Sequence, residues 1–354
     1  MPNVLHVIDA DTPRDALDQL ALLADERGQI VSIGPPPNTR RDLTVASVRR
    51  PLGSAVLAAH DLRRVALEPD VVHAWSPAAA QAARRAARAA GCGLVISLVT
   101  GRAVEAGSLG PLFKRLCTGR QRATLTVPTE HSRRVLLNRG LPAEAAAVLP
   151  PAAEPIGDRD ARRRRTREQL GLGNRAVLLV APAQMTRWAG HKYAAWVHGI
   201  LRQIVDHVRL MLPGSGPVAQ HVRFFANTTG YDDEVFFTGD RVELSDALAA
   251  ADVAVFFQQR DCGVGSLAAA MAAGLPVVAS ATGDVRALIR DGETGLLTAR
   301  SRPREQTAAV LRLIDEPALA QRLGAAAADF ARRHFRPEQI RARLERIHAS
   351  ASGS

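Results

Sequence analysis

The segment from Ser245 to Ala299 constrains this chain more than any other. Its middle, Cys262 to Gly283, carries no charged side chain and is long enough to span a bilayer. Gly263, Gly265, Gly274, Pro276 and Gly283 interrupt it, and alanine stands where leucine and isoleucine would face lipid. A membrane helix is therefore rejected. What remains is an alternation of short elements. Asp252 to Phe257 is a nearly continuous apolar run, as a strand buried on both faces requires. Gln258 to Gly265 is a polar loop with glycines. Ser245 is placed to cap a short helix over Asp246 to Ala251, and Ser266 to open an Ala/Met-rich helix that stops at Gly274. Pro276 starts the next strand, Val277 to Ser280. Thr282-Gly283-Asp284 turns into a helix over Val285 to Ile289, and Asp291 to Gly295 turns out of it. This is βαβ wiring.

A glycine-bearing loop that feeds a helix leaves backbone N–H groups and the positive end of a helix dipole where an anion can sit. On these residues alone, a nucleotide-diphosphate site and an ordinary βα turn are equally good readings.

The same wiring runs through the rest of the chain. Strands are predicted over Val4 to Ile8, Ile30 to Ile33, Val45 to Arg49, Val71 to Trp75, Leu94 to Leu98 and Ala123 to Val127. Helices are predicted between them over Arg14 to Arg27, Ser54 to Arg64, Pro77 to Ala90 and Phe113 to Gly119, with Thr129 capping one that runs to Asn138. His73, at a strand's carboxyl end, is read first as a structural histidine and second as a ligand group. Beyond Pro150-Pro151 the pattern restarts with a helix over Asp160 to Leu170 and a strand over Ala176 to Ala181. A helix over Tyr193 to Val205, a strand over Val208 to Leu212, a helix over His221 to Ala226 and a strand over Val235 to Thr238 follow. After Ala299 come helices from Pro303 to Ile314, Pro317 to His334 and Pro337 to Ala349, and Ser350 to Ser354 reads as a frayed tail.

The run Ala270-Met271-Ala272-Ala273-Gly274-Leu275-Pro276-Val277-Val278, followed by Gly283 and Asp291-Gly292-Glu293-Thr294-Gly295-Leu296-Leu297, resembles the donor-binding segment of retaining glycosyltransferases of family four. Val72-His73, Pro128-Thr129-Glu130, Val148-Leu149-Pro150-Pro151, Leu170-Gly171-Leu172 and Pro213-Gly214-Ser215-Gly216-Pro217 fit the same family in the same order. The resemblance covers nearly the whole chain and is stronger over residues 170–300. It implies an α/β protein of GT-B fold, with two Rossmann-like domains facing across a cleft. Residues 1–158 would form the acceptor-side domain and 159–334 the donor domain. Residues 335–354 would supply a helix packing back on the first domain, plus the tail. The implied reaction moves a sugar from a nucleotide-sugar donor to an acceptor with retention.

In the family's roles, Asp261 would be the catalytic carboxylate facing the donor sugar. Gly263, Val264, Gly265 and Ser266 would offer backbone amides to the diphosphate. Gly214 would bring a turn close to the ligand, and Arg187 or Lys192 would stabilise the leaving nucleotide. Arg187 and Lys192 read first as plain surface residues and second as phosphate cations. The family mechanism requires no cofactor and no metal; a UDP-, GDP- or ADP-linked sugar is the substrate, and the acceptor is a glycan or a lipid-linked molecule. The sequence also departs from the family. Ala269 stands where a second Glu is usual, Gln184 and Ala189 where an Arg and a Lys are usual, and Val99-Thr100-Gly101 where a histidine is usual. The loop from Asp9 to Arg14 lacks glycine. A second expectation follows: a catalytically inactive relative that binds a sugar or nucleotide, or acts as a scaffold.

The formal charge of +11 brings a third class, nucleic-acid binding, into view. Aromatic residues make up only 4%, too few to interleave with the dispersed arginines on one binding face, so no specific nucleic acid is expected. The dense run Arg162-Arg163-Arg164-Arg165-Thr166-Arg167 reads as a solvated helix face. A basic surface also suits peripheral contact with anionic lipid. Cys92, Cys117 and Cys262 lie far apart without metal-ligand spacing, which fits a reducing compartment. With no leader pattern at Met1 to Ala10, a cytoplasmic protein, peripheral at the inner membrane surface, is expected.

Overall fold

The computed structural model describes residues 2–9, 12–23, 29–33, 45–48, 68–77, 79–99, 123–239 and 241–353. The predicted helices over 54–64 and 113–119 lie outside these residues. The chain divides into two compact units, Met1–Ala152 with Pro337–Ser354, and Ala153–Arg336.

The first unit holds a seven-stranded sheet of β1 (Val4–Asp9), β2 (Gln29–Ile33), β3 (Val45–Val48), β4 (Val71–Ala74), β5 (Gly93–Ser97), β6 (Ala123–Val127) and β7 (Ala146–Val148), in the order β3-β2-β1-β4-β5-β6-β7. Every pairing is parallel. Strands β1 and β4 are buried along their whole length, which is why their sequences are apolar runs rather than alternations. Helix α1 (Arg14–Leu23) buries Ala16, Leu17, Leu20 and Leu23. Helix α2 (Ala79–Ala90) buries six alanines, small enough for close approach to the sheet. Helix α3 (Glu130–Asn138) starts where predicted, with the Thr129 hydroxyl accepting the Ser132 N–H.

The second unit begins with α4 (Arg159–Gln169) and holds a six-stranded parallel sheet. Its strands are β8 (Val177–Val180), β9 (Val208–Pro213), β10 (Val235–Gly239), β11 (Val253–Phe256), β12 (Val277–Ser280) and β13 (Leu296–Thr298), in the order β10-β9-β8-β11-β12-β13. The helices between and after them are α5 (His191–Leu201), α6 (Ala219–Asn227), α7 (Leu244–Ala250), α8 (Val264–Ala272), α9 (Gly283–Leu288), α10 (Pro303–Asp315) and α11 (Pro317–His334). Two apolar clusters cover the sheet, one centred on Met271, Leu275 and Phe335 and one on Leu210, Val255 and Leu313. No helix among the described residues is long and apolar enough to cross a membrane.

Several expectations need correction. Ser245 does not cap α7 but lies inside it, since that helix opens at Leu244 with Glu243 at the cap position. Helix α8 opens at Val264, two residues before Ser266, because Gly263 at φ +69° caps it in a left-handed conformation that glycine adopts without a Cβ penalty. Helix α12 (Pro337–Ser352) runs through most of the expected frayed tail. It is held there partly because it passes so close to β5 that a Cβ on Gly93 would run into the Ala351 carbonyl. The arginine run on α4 is not simply solvated. Arg163 donates to the carbonyls of Ala250 and Ala251, each at 2.9 Å, and reaches Asp252. Arg167 donates to Ala250 and Asp252 at 3.1 and 3.2 Å, and Arg162 to Asp246 at 2.7 Å. The orphan carbonyls at the end of α7 thereby gain guanidinium partners.

Helix α12 belongs to the first unit and sets Ile340 and Leu344 among Ile8, Leu17, Leu20 and Trp75. It also brings in His348, whose Nε2 lies 3.0 Å from His73 Nδ1. His73 Nε2 is 2.8 Å from Ser97 Oγ, which is 2.7 Å from Thr126 Oγ1. The Trp75 indole N–H donates to His6 Nδ1 at 3.1 Å. His73 is thus a satisfied structural histidine. Burial first, and then the neighbouring rings, hold His73 well below the ordinary imidazole value and His6 at about 3. Burial alone holds His348 at about 4.

Candidate functional site

In an open parallel sheet, ligands collect at the carboxyl ends of the strands where the strand order reverses. In the second unit that point lies between β8 and β11, which are adjacent while their connections run to opposite sides. The loop after β8 spans Ala181 to Gly190, and the loop after β11 spans Phe257 to Gly263. The two are locked together. Gln259 N–H donates to the Trp188 carbonyl at 2.8 Å. Gly190, at φ +85°, lies so near the Phe257 carbonyl that no Cβ fits.

Helix α8 points its N-terminus out of this seam. Gly263 caps it, and Val264, Gly265 and Ser266 form its buried first turn. Their N–H groups precede the first helical bond, which Leu267 donates to the Gly263 carbonyl at 3.0 Å. A Cβ on Gly263 would lie 3.3 Å from the Ala183 Cβ, so the loop after β8 closes directly against the cap. Ala183 itself has φ +148°, a conformation L residues rarely adopt. Gly214, at φ +84°, donates its N–H to the Gly239 carbonyl at 2.9 Å, and a Cβ there would stand 3.7 Å from the Ala183 carbonyl. Gly214, Gly263 and Ala183 therefore meet at one place, although they come from three loops.

Asp261 is buried, and its Oδ1 accepts the Asp284 N–H at 2.8 Å, in the first turn of α9. The carboxylate thus caps a neighbouring helix, which joins the loops after β11 and β12. Arg187 is exposed, with its guanidinium 5.1 Å from the centre of the Trp188 ring. Lys192 lies in the first turn of α5, where its Nζ sits 4.6 Å from the Phe225 ring of α6. Gln184 and Ala189 bring no cation to the seam, and Ala269 lies a full turn inside α8.

Further groups gather at the site beyond the glycines and Asp261, and of these sequence reasoning passed over Arg260. Arg260 places its guanidinium 4.5 Å from the Trp188 ring, so one indole holds two arginines from two loops. His191, the first residue of α5, is buried. Its ring lies against the carbonyls of Ala181 and Ala183, yet neither nitrogen makes a well-formed hydrogen bond. Burial lowers its pKa to about 4, and the two carbonyls oppose this only in part, so the ring is neutral at pH 7. The Thr282 hydroxyl, before α9, is likewise buried without a protein partner. The adjacency of Arg187 and Trp188 in a polar loop was the one sequence signal available for this cluster.

The first unit has its own reversal point, between β1 and β4. There the buried Asp9 accepts the Ser76 hydroxyl at 2.7 Å and the Thr12 hydroxyl at 2.9 Å. Ser76 Oγ also accepts the Ala79 N–H at 2.9 Å, capping α2. One carboxylate thereby fixes the ends of both strands. Among the described residues, no group of three or more His, Cys, Asp or Glu side chains is arranged to hold a metal ion.

Comparisons with known proteins bear on the fold. Residues 176–316 match the family "Glycosyl transferases group 1". A GDP-mannose-dependent alpha-(1-6)-phosphatidylinositol monomannoside mannosyltransferase of Mycobacterium tuberculosis is 28% identical over 300 residues, 80% of this chain and 77% of that protein. The crystal structure of HepE from Anabaena, in complex with UDP and glucose, superposes with a TM-score of 0.86 over 99% of this chain and 100% of that one, at 18% identity. WaaG, a glycosyltransferase involved in lipopolysaccharide biosynthesis, gives 0.72 over 99% and 100% of the two chains, at 16% identity. The two reversed-order parallel sheets are thus those of the GT-B fold, and residues 176–316 match the group 1 glycosyl transferases.

Proposed function

We propose that this protein transfers a hexose from a nucleoside-diphosphate sugar to a glycan or lipid-linked acceptor, with retention at the anomeric carbon. The observation that carries the reading is the meeting of Gly214, Ala183 and the Gly263-capped start of α8 at the reversal point of the second sheet. Backbone N–H groups there face the place where a diphosphate leaving group would gather negative charge, and donors fixed in advance stabilise such charge without reorganising. The named relatives support the donor class, one being GDP-mannose-dependent and another a complex with UDP and glucose. The acceptor falls to the first unit, at the end of β1 and β4 around Asp9 and Ser76. A formal charge of +11 suits an acceptor presented at an anionic lipid surface, where the protein would dock peripherally.

One observation favours a second reading, binding without transfer. The Asp261 carboxylate is engaged with α9, and Gln184, Ala189 and Ala269 offer no charge where the resemblance expects one.

Turnover separates the two readings. The protein is incubated with UDP-glucose, GDP-mannose and an ADP-linked hexose, and nucleotide release is followed with and without a lipid extract as acceptor. Release from one donor, lost in Gly265→Glu, which sets a carboxylate in the first turn of α8, supports the transferase. The anomeric configuration of the product, read by NMR, tests retention. Binding of a nucleotide without release from any donor supports the second reading.

A further inference from the structure

We propose that Arg187 and Arg260, stacked on Trp188 where the loops after β8 and β11 meet, are the cations that bind the diphosphate of the nucleotide. The assignment rests on the donor-site reading above and supplies the positive charge that Gln184 and Ala189 leave missing. Three observations carry it.

The first is position. Arg187 lies three residues before Gly190, which caps α5, and Arg260 three residues before Gly263, which caps α8. Both helices start at the carboxyl ends of the two strands that flank the order reversal. The second is preorganisation. The guanidinium centres stand 5.1 and 4.5 Å from the centre of the same indole. The loops that bear them are tied by the Gln259–Trp188 backbone bond at 2.8 Å and by the Gly190–Phe257 approach. Arg300, after β13, holds the loop after β11 from its other side by donating to the Gln259 carbonyl at 3.1 Å. An arginine stacked on a ring already has few rotamers to lose, so less side-chain entropy is given up when it grips an anion. The third is unmet demand at the start of α5. His191 is 2% exposed, and its ring lies against the Ala181 and Ala183 carbonyls with neither nitrogen in a well-formed hydrogen bond. Buried polar groups are rarely left so, and a bound ligand or the water around it is the usual partner. Lys192, the other cation nearby in sequence, stands over the Phe225 ring of α6 rather than over Trp188.

Calorimetric titration of the full chain with UDP, GDP and ADP, and separately with UMP, GMP and AMP, tests the assignment. The quantity read is the ratio of diphosphate to monophosphate affinity for whichever base binds. The wild type should prefer the diphosphate. In the Arg187→Ala/Arg260→Ala double variant the preference should fall at least tenfold, and the exposed control Arg332→Ala should keep it. A double variant with the wild-type ratio overturns the assignment. If that variant does not fold, Arg187→Lys/Arg260→Lys is read instead. It keeps both charges but loses the planar fork, so its preference should also fall, and an unchanged ratio overturns the proposal equally. Absence of binding by the wild type to any of the six nucleotides refutes the donor-site reading itself, and this assignment with it. The two failures are therefore distinguishable.

Discussion

Gly190 shows how much of the site rests on one absent atom. Its left-handed backbone tolerates glycine, and the Phe257 carbonyl occupies the space a Cβ would need. Gly190→Ala should destabilise the second unit by about 2–4 kcal/mol, from backbone strain and overpacking together. A thermal melt checks this, and nucleotide binding should weaken in step because the two loops can no longer close on each other. An unchanged melting temperature would show that the loops yield. At this scale the sequence was a partial guide. It singled out Gly263, Gly265, Gly214 and Asp261, because glycines and a carboxylate in βα loops carry a local meaning. It held no hint that Asp261 caps α9, or that Trp188 holds Arg260. Both facts depend on which strands lie side by side, and neither pair is close in the chain.

Helices and strands were more legible, because each announces itself by periodicity and by its ends. Apolar runs became buried parallel strands, and Thr129 capped its helix as its chemistry requires. The errors arose where a neighbour decides. A serine is a good cap in isolation, but at the start of α8 the approach of Ala183 selects Gly263, three residues earlier. The arginine run looks solvated until the end of α7 delivers its carbonyls to Arg163 and Arg167. The tail of α12 looks frayed until β5 supports it. The same helix carries a pH dependence. His6, His73 and His348 have folded-state pKa values below the unfolded value of 6.5, with His6 at about 3 and His348 at about 4. The unfolded chain therefore takes up protons first. The stability these groups contribute is fully present above pH 6.5 and is lost as pH falls towards 4. Each group loses about 1.4 kcal/mol for every tenfold by which folding weakens its hold on a proton. His191 and His198, each lowered to about 4, add the same trend in the second unit. The melting temperature should fall steadily from pH 7 to pH 5, and His348→Gln should flatten that fall by about one proton's worth. A pH-independent melting temperature across this range would contradict the account.

For the whole molecule, the division at Ala152–Ala153 and again at Arg336–Pro337 makes the second unit an insertion within the first. Ending the chain after Arg336 removes Ile340, Leu344 and His348, uncovers Leu17, Leu20 and Ile8, and strips His73 of a partner. At about 1.5–3 kcal/mol for each large apolar side chain exposed, the first unit should not remain folded. The second unit keeps all of its own elements. Hydrogen exchange on the truncated protein should therefore show loss of protection over β1, β4 and β5 with protection retained over β8 to β13. Retained protection in both would show that α12 is dispensable.

That arrangement also governs how the protein is made. A ribosome finishes the strands of the first unit early, but it must then translate Ala153–Arg336 before it reaches the helix that covers them. At 5–20 residues per second this is a delay of roughly 10–40 s. During that interval Ile8, Leu17 and Leu20 have no permanent cover, while the inserted unit acquires all of its own parts and can fold. The order of maturation is thus the reverse of the order of synthesis: the half that emerges first is the last to be complete.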